Sequence, residues 1–306
     1  MRAAHYIADE YRKKVAQLVE DYGSNNFPIV TWKDSLKYTL LHDHSIKVDI
    51  VSPTCFDIYC EIGGVREINT TNILSSRISD YISNSRRIKQ QYKTAEAMSK
   101  NPNMAAPWIL VSTYYSSFFA ANELLRLYDQ LPLGLDSDEF YKLSIKAIST
   151  YGFNIEEFTS RKPRNFIGKI NSDHIRFEST GDRPHQAAWL KVAQTLTGVM
   201  REKGWPELSN YIYFAKGEKG WIQPSDLRNS WNYKRADLYS SKGRDMCSRM
   251  FAYLGDFNRA TEWFNRATPY DDTTHCTALS ATTEFLVSPV VKSYESLFET
   301  AILSDK

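Results

Sequence analysis

The sequence predicts a mostly α-helical protein with a small α+β portion at its N-terminus. Apolar residues recur at three- and four-residue steps over most of residues 73–306, which is the spacing of amphipathic helices. Within residues 28–70, apolar and polar residues instead alternate, as they do in strands. We therefore expect residues 1–72 to form the α+β portion and residues 73–306 to form a helical bundle, with a basic loop inserted at about residues 151–185.

The composition is that of a globular protein without a strong charge bias. Of the 306 residues, 42% are hydrophobic and 13% are aromatic, so aromatic side chains supply much of the buried area. Thirty-eight Lys and Arg residues against 36 Asp and Glu residues give a net charge of +2, which neither requires nor excludes a nucleic-acid partner. The four cysteines fall in no disulfide-scaffold pattern, and no run approaches the roughly 20 apolar residues of a membrane span. The first residues also lack the apolar stretch of a secretory signal. We expect a cytoplasmic protein with no membrane association.

The elements of the N-terminal portion follow from local spacing. Residues 6–21 carry an apolar stripe with charges opposite, which predicts a helix. The segment KVDIVSPTCFDIYCEIGGV, residues 47–65, alternates apolar and polar residues and is rich in β-branched and aromatic types. Because proline and glycine interrupt it, this segment predicts two or three strands.

The chain then becomes helical. Residues 75–99 predict a polar helix whose basic residues cluster at Arg86, Arg87 and Lys89. Residues 107–132 carry two neighbouring apolar stripes at helical spacing, which predicts the central and most buried helix. The first stripe consists of Trp108, Val111, Tyr115, Phe118, Asn122 and Leu125, and the second of Leu110, Tyr114, Ala121, Leu124 and Tyr128.

Later boundaries come from the same signals. Residues 186–204 predict a helix, and residues 210–222 predict a short strand or turn. Ser225, directly after a proline, is expected to cap the next helix. A last helix at about residues 282–303 contains Pro289 and is expected to be kinked or split there.

Two stretches together resemble the HEPN superfamily, the small helical bundles found in toxins, antiviral RNases and their inactive relatives. STYYSSFFAANELLRL, residues 112–127, is similar to the family's long core helix, and LRNSWNYKRADLY, residues 227–239, is similar to its later helix. The resemblance covers about residues 75–300 and implies a HEPN-like helical bundle. It also implies metal-independent RNA cleavage without a cofactor. Two protomers would pair around one cleft, where a His acts on the ribose 2′-hydroxyl or the leaving oxygen and an Arg stabilises charge on the phosphate.

The resemblance places Arg228 at the family's arginine and Asn229 at the polar residue after it. Tyr233 stands where the family has its histidine, and a phenol with an ordinary pKa of about 10 is a poor base at neutral pH. We therefore expect Tyr233 to be an acid or a phosphate ligand. Asn232 shares the helix face of Arg228, near a helix N-terminus that favours anions. The alternative is structural: Arg228 caps the helix or forms a salt bridge, while Trp231 and Tyr233 pack inward.

The basic loop is the second candidate for nucleic-acid contact. Its cations can neutralise phosphates, and Phe166 or Phe177 can stack on bases. A charged insertion that is merely solvated is the alternative. The candidate RNA-contacting residues of the loop are Arg161, Lys162, Arg164, Lys169 and Arg176.

A third constellation, His42, His44, Cys55 and Cys60, contains the residue types that bind zinc. Its spacing differs from that of a compact zinc knuckle. An ordinary strand with a buried cysteine explains the pattern equally, and we expect no metal.

Two functions follow as hypotheses. The first is a HEPN-like RNA-targeting effector or component of a toxin or antiviral defence system, in which Arg228, Asn229 and Tyr233 form the catalytic site. The second is a catalytically inactive helical subunit that acts as an adaptor or scaffold in a multi-protein complex. The expected partners are RNA, a second copy of the chain, or a protein of a defence complex.

Overall fold

A computed structural model of the chain describes residues 2–23, 31–101, 103–149, 165–181, 183–240 and 251–299. These residues are mostly helical and include one sheet. The chain divides into two compact units. The helical unit comprises Met1–Lys13, Asn84–Leu124 and His185–Lys306, and the α+β unit comprises Lys14–Ser83 and Leu125–Pro184.

The described residues contain ten α-helices and seven strands. The helices are α1 Arg2–Tyr22, α2 Leu36–His42, α3 Thr71–Ser99, α4 Ala106–Leu127, α5 Ser137–Ser144, α6 Pro184–Lys203, α7 Ser209–Lys216, α8 Pro224–Tyr233, α9 Phe257–Arg266 and α10 Asp272–Tyr294. The strands are β1 Ile46–Ser52, β2 Cys55–Ile62, β3 Val65–Glu67, β4 Gln130–Gly134, β5 Ala147–Ser149, β6 Asn165–Ile170 and β7 Ile175–Ser179. Helices were correctly predicted at residues 6–21, 75–99 and 186–204.

The sheet has the strand order β4-β6-β7-β2-β1-β5. Strand β3 pairs with the last three residues of β2, Cys60 to Ile62. All pairs are antiparallel except β1 with β5. Because side chains alternate between the two faces of a strand, one face carries Val48, Ile50, Phe56 and Ile58, which are fully buried. These residues form one core with apolar side chains of α2 and α5. The strands predicted within residues 28–70 are confirmed as β1–β3.

Strands β6 and β7 lie in the segment that the sequence assigned to a loop within the bundle. They pair with each other and join the sheet through β4 and β2, and the rest of that segment, residues 151–164, lies outside the described residues. Gly168 permits the pairing, because a Cβ there would lie 2.6 Å from the ring of Phe177 on the neighbouring strand. Phe177 and Phe166 are therefore core residues of the sheet.

The core of the helical unit is built on α10, which is buried around nearly its whole circumference. Tyr211 of α7 packs on Phe285 of α10 at 4.2 Å and on Phe264 of α9 at 4.7 Å between ring centroids. The prediction that residues 107–132 form the most buried helix is therefore wrong. Their second stripe is buried apart from the half-buried Tyr128. The first stripe is mostly half-exposed, although Leu125 is buried, and Trp108 is 52% exposed.

Three local predictions also differ from the structure. Residues 210–222 do not form a strand or turn at their start, since α7 buries Tyr211, Phe214 and Ala215 at helical spacing. Ser225 is not the cap of α8, because the helix begins at Pro224 and the Ser225 hydroxyl donates to the Gln223 side chain at 2.8 Å.

The last helix begins ten residues earlier than predicted. It runs through Pro289 without a break and continues into a π-helical turn at Glu295–Glu299. None of the helices in the described ranges has the length and apolar character needed to cross a bilayer.

Candidate nucleic-acid interface

Helix α8 presents Arg228 to two aromatic rings of α4. Leu227 and Trp231 of α8 are each 1% exposed and fix the orientation of this helix in the helical unit. The guanidinium carbon of Arg228 lies 5.2 Å from the ring centroid of Tyr114 and 5.7 Å from that of Tyr115. Its Nε is buried and has no hydrogen-bond partner among the described residues. The alternative expectation for Arg228, a salt bridge, is not what the described residues provide: its neighbours are ring faces.

A histidine completes this cluster from a different helix. His185, in the first turn of α6, has its Nδ1 2.8 Å from the Tyr114 hydroxyl, and its ring stacks on Phe118 at 4.2 Å. Burial, followed by the positive charge of Arg228, lowers the pKa of His185 to about 4. The imidazole beside Arg228 is therefore neutral at neutral pH.

Tyr114 determines which nitrogen of His185 carries the proton. Burial raises the pKa of Tyr114 to about 12, although Trp189 and Arg228 beside its oxygen favour ionisation, so the phenol stays protonated. The indole of Trp189 and the guanidinium of Arg228 can only donate hydrogen bonds. The phenol therefore donates its proton to Nδ1 of His185, and the neutral imidazole carries its own proton on Nε2. Tyr114 thus contacts both the Arg228 guanidinium and the neutral imidazole of His185.

A second arginine contacts another aromatic ring of α4, that of Phe119. The guanidinium carbon of Arg87, an exposed residue of α3, lies 5.1 Å from the ring centroid of Phe119. Phe119 in turn lies 6.0 Å from Tyr115, the ring that Arg228 contacts. Tyr115, Phe118 and Phe119 are all half-exposed. The half-exposed rings of Tyr115 and Phe119 therefore lie in a row between the guanidinium groups of Arg228 and Arg87.

The other predicted residues of α8 lie differently. Asn229 is exposed and Asn232 is half-buried, while Tyr233 is 73% exposed at the end of the helix. Tyr233 follows Arg228 by five positions, so the two side chains leave the helix axis in directions about 140° apart. Tyr233 therefore points away from the rings that Arg228 contacts. Trp231 packs inward as the structural alternative expected, but Tyr233 does not.

Only two of the five candidate residues in the predicted basic loop, Lys169 and Arg176, lie in the part of the chain that the structure describes. Arg161, Lys162 and Arg164 lie outside the described residues. Lys169 is exposed on β6, whereas Arg176 on β7 donates to both carboxylate oxygens of Asp57 at 2.8 Å.

Phe166 and Phe177 were expected to be able to stack on bases, and that prediction is wrong. They are 4% and 0% exposed because they pack in the core of the sheet, where Phe177 stacks on Phe56.

The His and Cys constellation does not converge on one point. His42 stacks on Tyr38 at 4.2 Å, and the Cys60 thiol lies near the hydroxyls of Ser45 and Thr70. Cys55 stands at the opposite end of β2. In the part of the chain that the structure describes, no three His, Cys, Asp or Glu side chains are grouped as a metal site requires.

The α+β unit contains an open cavity of about 460 Å³ beside α2 and the first turn of α3. Its carboxylates already accept hydrogen bonds, Asp34 from Thr31 and Asp43 from Ser45 and Asn72. Lysine, histidine and hydroxyl side chains line the rest, a mixture that selects no particular ligand. The lining residues are Lys33, Asp34, Tyr38, Thr39, His42, Asp43, Asn72, Ser75 and Ser76.

Sequence reasoning missed His185 because it required a histidine four to six residues after an arginine, whereas His185 lies on a different helix from Arg228. The basic cluster that contains Arg87 was visible in the sequence, but its contact with Phe119 was not. Comparison of the chain with protein-family models, with curated proteins and with solved structures finds no match. A function can therefore be inferred only from the chemistry of this site and from the resemblance of residues 112–127 and 227–239.

Proposed function

We propose that the protein is a HEPN-like RNA-targeting effector that binds an RNA phosphate between Arg228 and His185. One observation carries the proposal: the Arg228 guanidinium lies over Tyr114 and Tyr115, without a carboxylate partner among the described residues, beside the neutral His185. The choice of RNA, and of a toxin or antiviral defence role, comes from the resemblance of residues 112–127 and 227–239 to that family.

The chemistry suits a phosphate. A guanidinium presents several N–H donors in a planar fork that matches phosphate oxygens. The rings of Tyr114 and Tyr115 hold this fork in place and displace water from one side of it. We expect a phosphate bound there to accept the Nε2 proton of His185 as well and to neutralise a guanidinium that has no carboxylate partner among the described residues.

The same geometry favours binding over cleavage. A general base for the ribose 2′-hydroxyl needs an unprotonated nitrogen that faces the substrate. The Tyr114 hydroxyl occupies Nδ1 of His185, and Nε2 carries the proton. Tyr233, the other candidate, points away from Arg228. We therefore expect tight RNA binding and slow metal-independent cleavage, if any.

The test is fluorescence anisotropy with a labelled 20-nucleotide RNA in EDTA, followed by gel analysis of the same samples. Arg228→Ala should weaken RNA binding about tenfold, since a charged hydrogen-bonding partner of a phosphate is lost. His185→Gln should weaken it less. Neither change should lower the melting temperature by more than a few degrees. Arg201→Ala, which removes an exposed arginine of α6, is the matched control and should leave binding unchanged.

Cleavage that disappears in both Arg228→Ala and His185→Gln would add a metal-independent RNase activity to the site. Binding without cleavage would identify an RNA-binding effector without catalysis. If the wild type binds no RNA, or if Arg228→Ala binds as tightly as the wild type, the proposal fails. The helical adaptor or scaffold would then be the better description, and the exposed face of α4 would be examined for a protein partner.

A further inference from the structure

We infer that Arg87 and Phe119 form a base-stacking position next to the Arg228 site, so that the protein selects single-stranded over double-stranded RNA. The inference rests on the proposed function, because it describes how the same site would treat its RNA. It assigns a specificity role to two residues on α3 and α4 that lie outside the arginine motif of α8.

The geometry is a continuous series of contacts. Arg228 lies over Tyr115 at 5.7 Å, Tyr115 lies 6.0 Å from Phe119, and Arg87 lies over Phe119 at 5.1 Å. Tyr115 and Phe119 are four residues apart on α4, so the two rings are about one helical turn apart along its axis. Phe118, between them in sequence, carries the ring of His185. A cation thus stands at each end of a row of half-exposed rings.

This arrangement suits an unpaired nucleotide. Within a duplex the faces of the bases are covered by their neighbours, and only edges and backbone are offered to a protein. A planar ring or guanidinium can recognise a base face only where the base is unstacked. The guanidinium of Arg87 is planar and exposed, with its inner face on Phe119, and its outer face is available for a base.

Charge favours RNA over an apolar protein surface as the occupant. Arg87 and Arg228 contact rings and have no ion pair with a described carboxylate, whereas Arg66 and Arg176 of the α+β unit each bind one. Two cations beside aromatic faces, neither with an ion-pair partner in the described ranges, match a ligand that alternates phosphates with flat bases. An apolar protein surface would leave both charges unpaired at the interface.

The experiment compares a labelled 15-nucleotide single-stranded RNA of non-pairing sequence with a blunt duplex of the same length at equal ionic strength. The wild type should bind the single strand at least about tenfold more tightly. Phe119→Leu keeps the apolar volume but removes the ring face. That change, like Arg87→Ala, should weaken single-strand binding about tenfold and leave duplex binding nearly unchanged. Trp108→Ala, which removes an exposed ring three turns away on α4, is the control and should bind both RNAs as the wild type does.

The outcomes separate the two proposals. If the wild type binds single strand and duplex equally, or if Phe119→Leu and Arg87→Ala leave single-strand binding unchanged, the stacking position is refuted while RNA binding stands. If neither RNA binds, or if Arg228→Ala has no effect on either, the proposed function itself is refuted. Thermal melting of each variant shows that any loss occurs in a folded protein, and a lost single-strand preference in a folded Phe119→Leu variant supports the inference.

Discussion

Two pairs of arginines, one pair in each unit, differ in whether a described carboxylate binds them. On the polar face of the sheet, Arg176 binds Asp57 through two hydrogen bonds, and Arg66 binds Asp49 at 2.6 Å. In the helical unit, Arg228 and Arg87 meet aromatic rings instead. Arg228 and Arg87 thus differ from Arg66 and Arg176, and also from Arg235 of the helical unit, which binds Asp237 and Asp272, because they have no ion pair with a described carboxylate.

This difference indicates separate roles for the arginines of the sheet and for Arg228. Asp49 and Asp57 are opposite each other on β1 and β2, and both are 5% exposed, so two neighbouring carboxylates would repel each other without cations. Arg66 and Arg176 remove that repulsion, and hydrogen bonding to Asp57 raises the pKa of Arg176. The charge of Arg228 acts on a neighbouring titratable group, because it helps to lower the pKa of His185. Arg66 and Arg176 stabilise the sheet, whereas Arg228 and Arg87, which have no ion pair with a carboxylate in the described ranges, are available to a ligand.

Removing a carboxylate of the sheet tests the difference between the two pairs of arginines most directly. Asp57→Ala leaves the Arg176 guanidinium without its acceptor and should lower the free energy of unfolding of the α+β unit by about 2 kcal/mol, as the loss of a charged hydrogen-bonded pair does. Urea unfolding measures this. Arg228→Ala should cost less than about 1 kcal/mol, the scale of a partly exposed cation–π contact. Equal losses from the two changes would contradict the distinction between structural and functional arginines.

His185 should make the free energy of unfolding depend on pH, with an effect of intermediate size. Its pKa of about 4 lies below the ordinary value near 6.5, so the unfolded chain binds a proton between these values that the native protein does not. This contribution to stability is complete above about pH 6.5 and is lost as the pH falls towards 4. Allowing for solvent screening at this half-buried ring, we expect a loss of about 1–2 kcal/mol that His185→Gln removes.

Nuclear magnetic resonance of the histidine ring protons measures the pKa of His185 directly. Inorganic phosphate at the Arg228 site should raise the pKa of His185, because an anion offsets the arginine's charge and favours the imidazolium. His44→Gln, which replaces an exposed histidine, serves as the control. A His185 pKa that does not respond to phosphate, while Arg228 binds RNA, would show that the phosphate lies elsewhere along α4.

Much of the fold could be predicted because its signals are local. Helical spacing placed α1, α3 and α6, and alternation placed β1–β3. Strands β4–β7 were missed because each has only three to six residues, and their pairing joins segments far apart in the chain. The sequence-based boundary at residue 72 consequently differs from the observed division, in which Leu125–Pro184 belongs to the α+β unit.

The site shows the same limit. A local pattern singled out Arg228, but a local search could only offer Tyr233 as its partner. His185 lies on α6, so its contact with Tyr114 exists only after the helices pack. The first apolar stripe of α4, which contains Tyr115 and Phe118, resembled a core face because its spacing is that of a buried helix. Spacing alone does not show which of two apolar stripes the neighbouring helices will cover.

The smallest predicted effect concerns Lys169, which tests whether the sheet shares in RNA binding. Lys169 is exposed on β6, opposite Arg176 in the strand register, and the carboxylate of Asp57 lies beside that pair. A lysine near a buried anion contributes little net positive potential, so Lys169→Ala should change RNA affinity less than about twofold in the anisotropy assay. Arg176→Ala, the matched change on β7, should lower stability without altering RNA affinity. A loss of RNA binding from Lys169→Ala as large as that from Arg228→Ala would make the sheet a binding surface, and pairing with a carboxylate would then no longer distinguish structural arginines from functional ones.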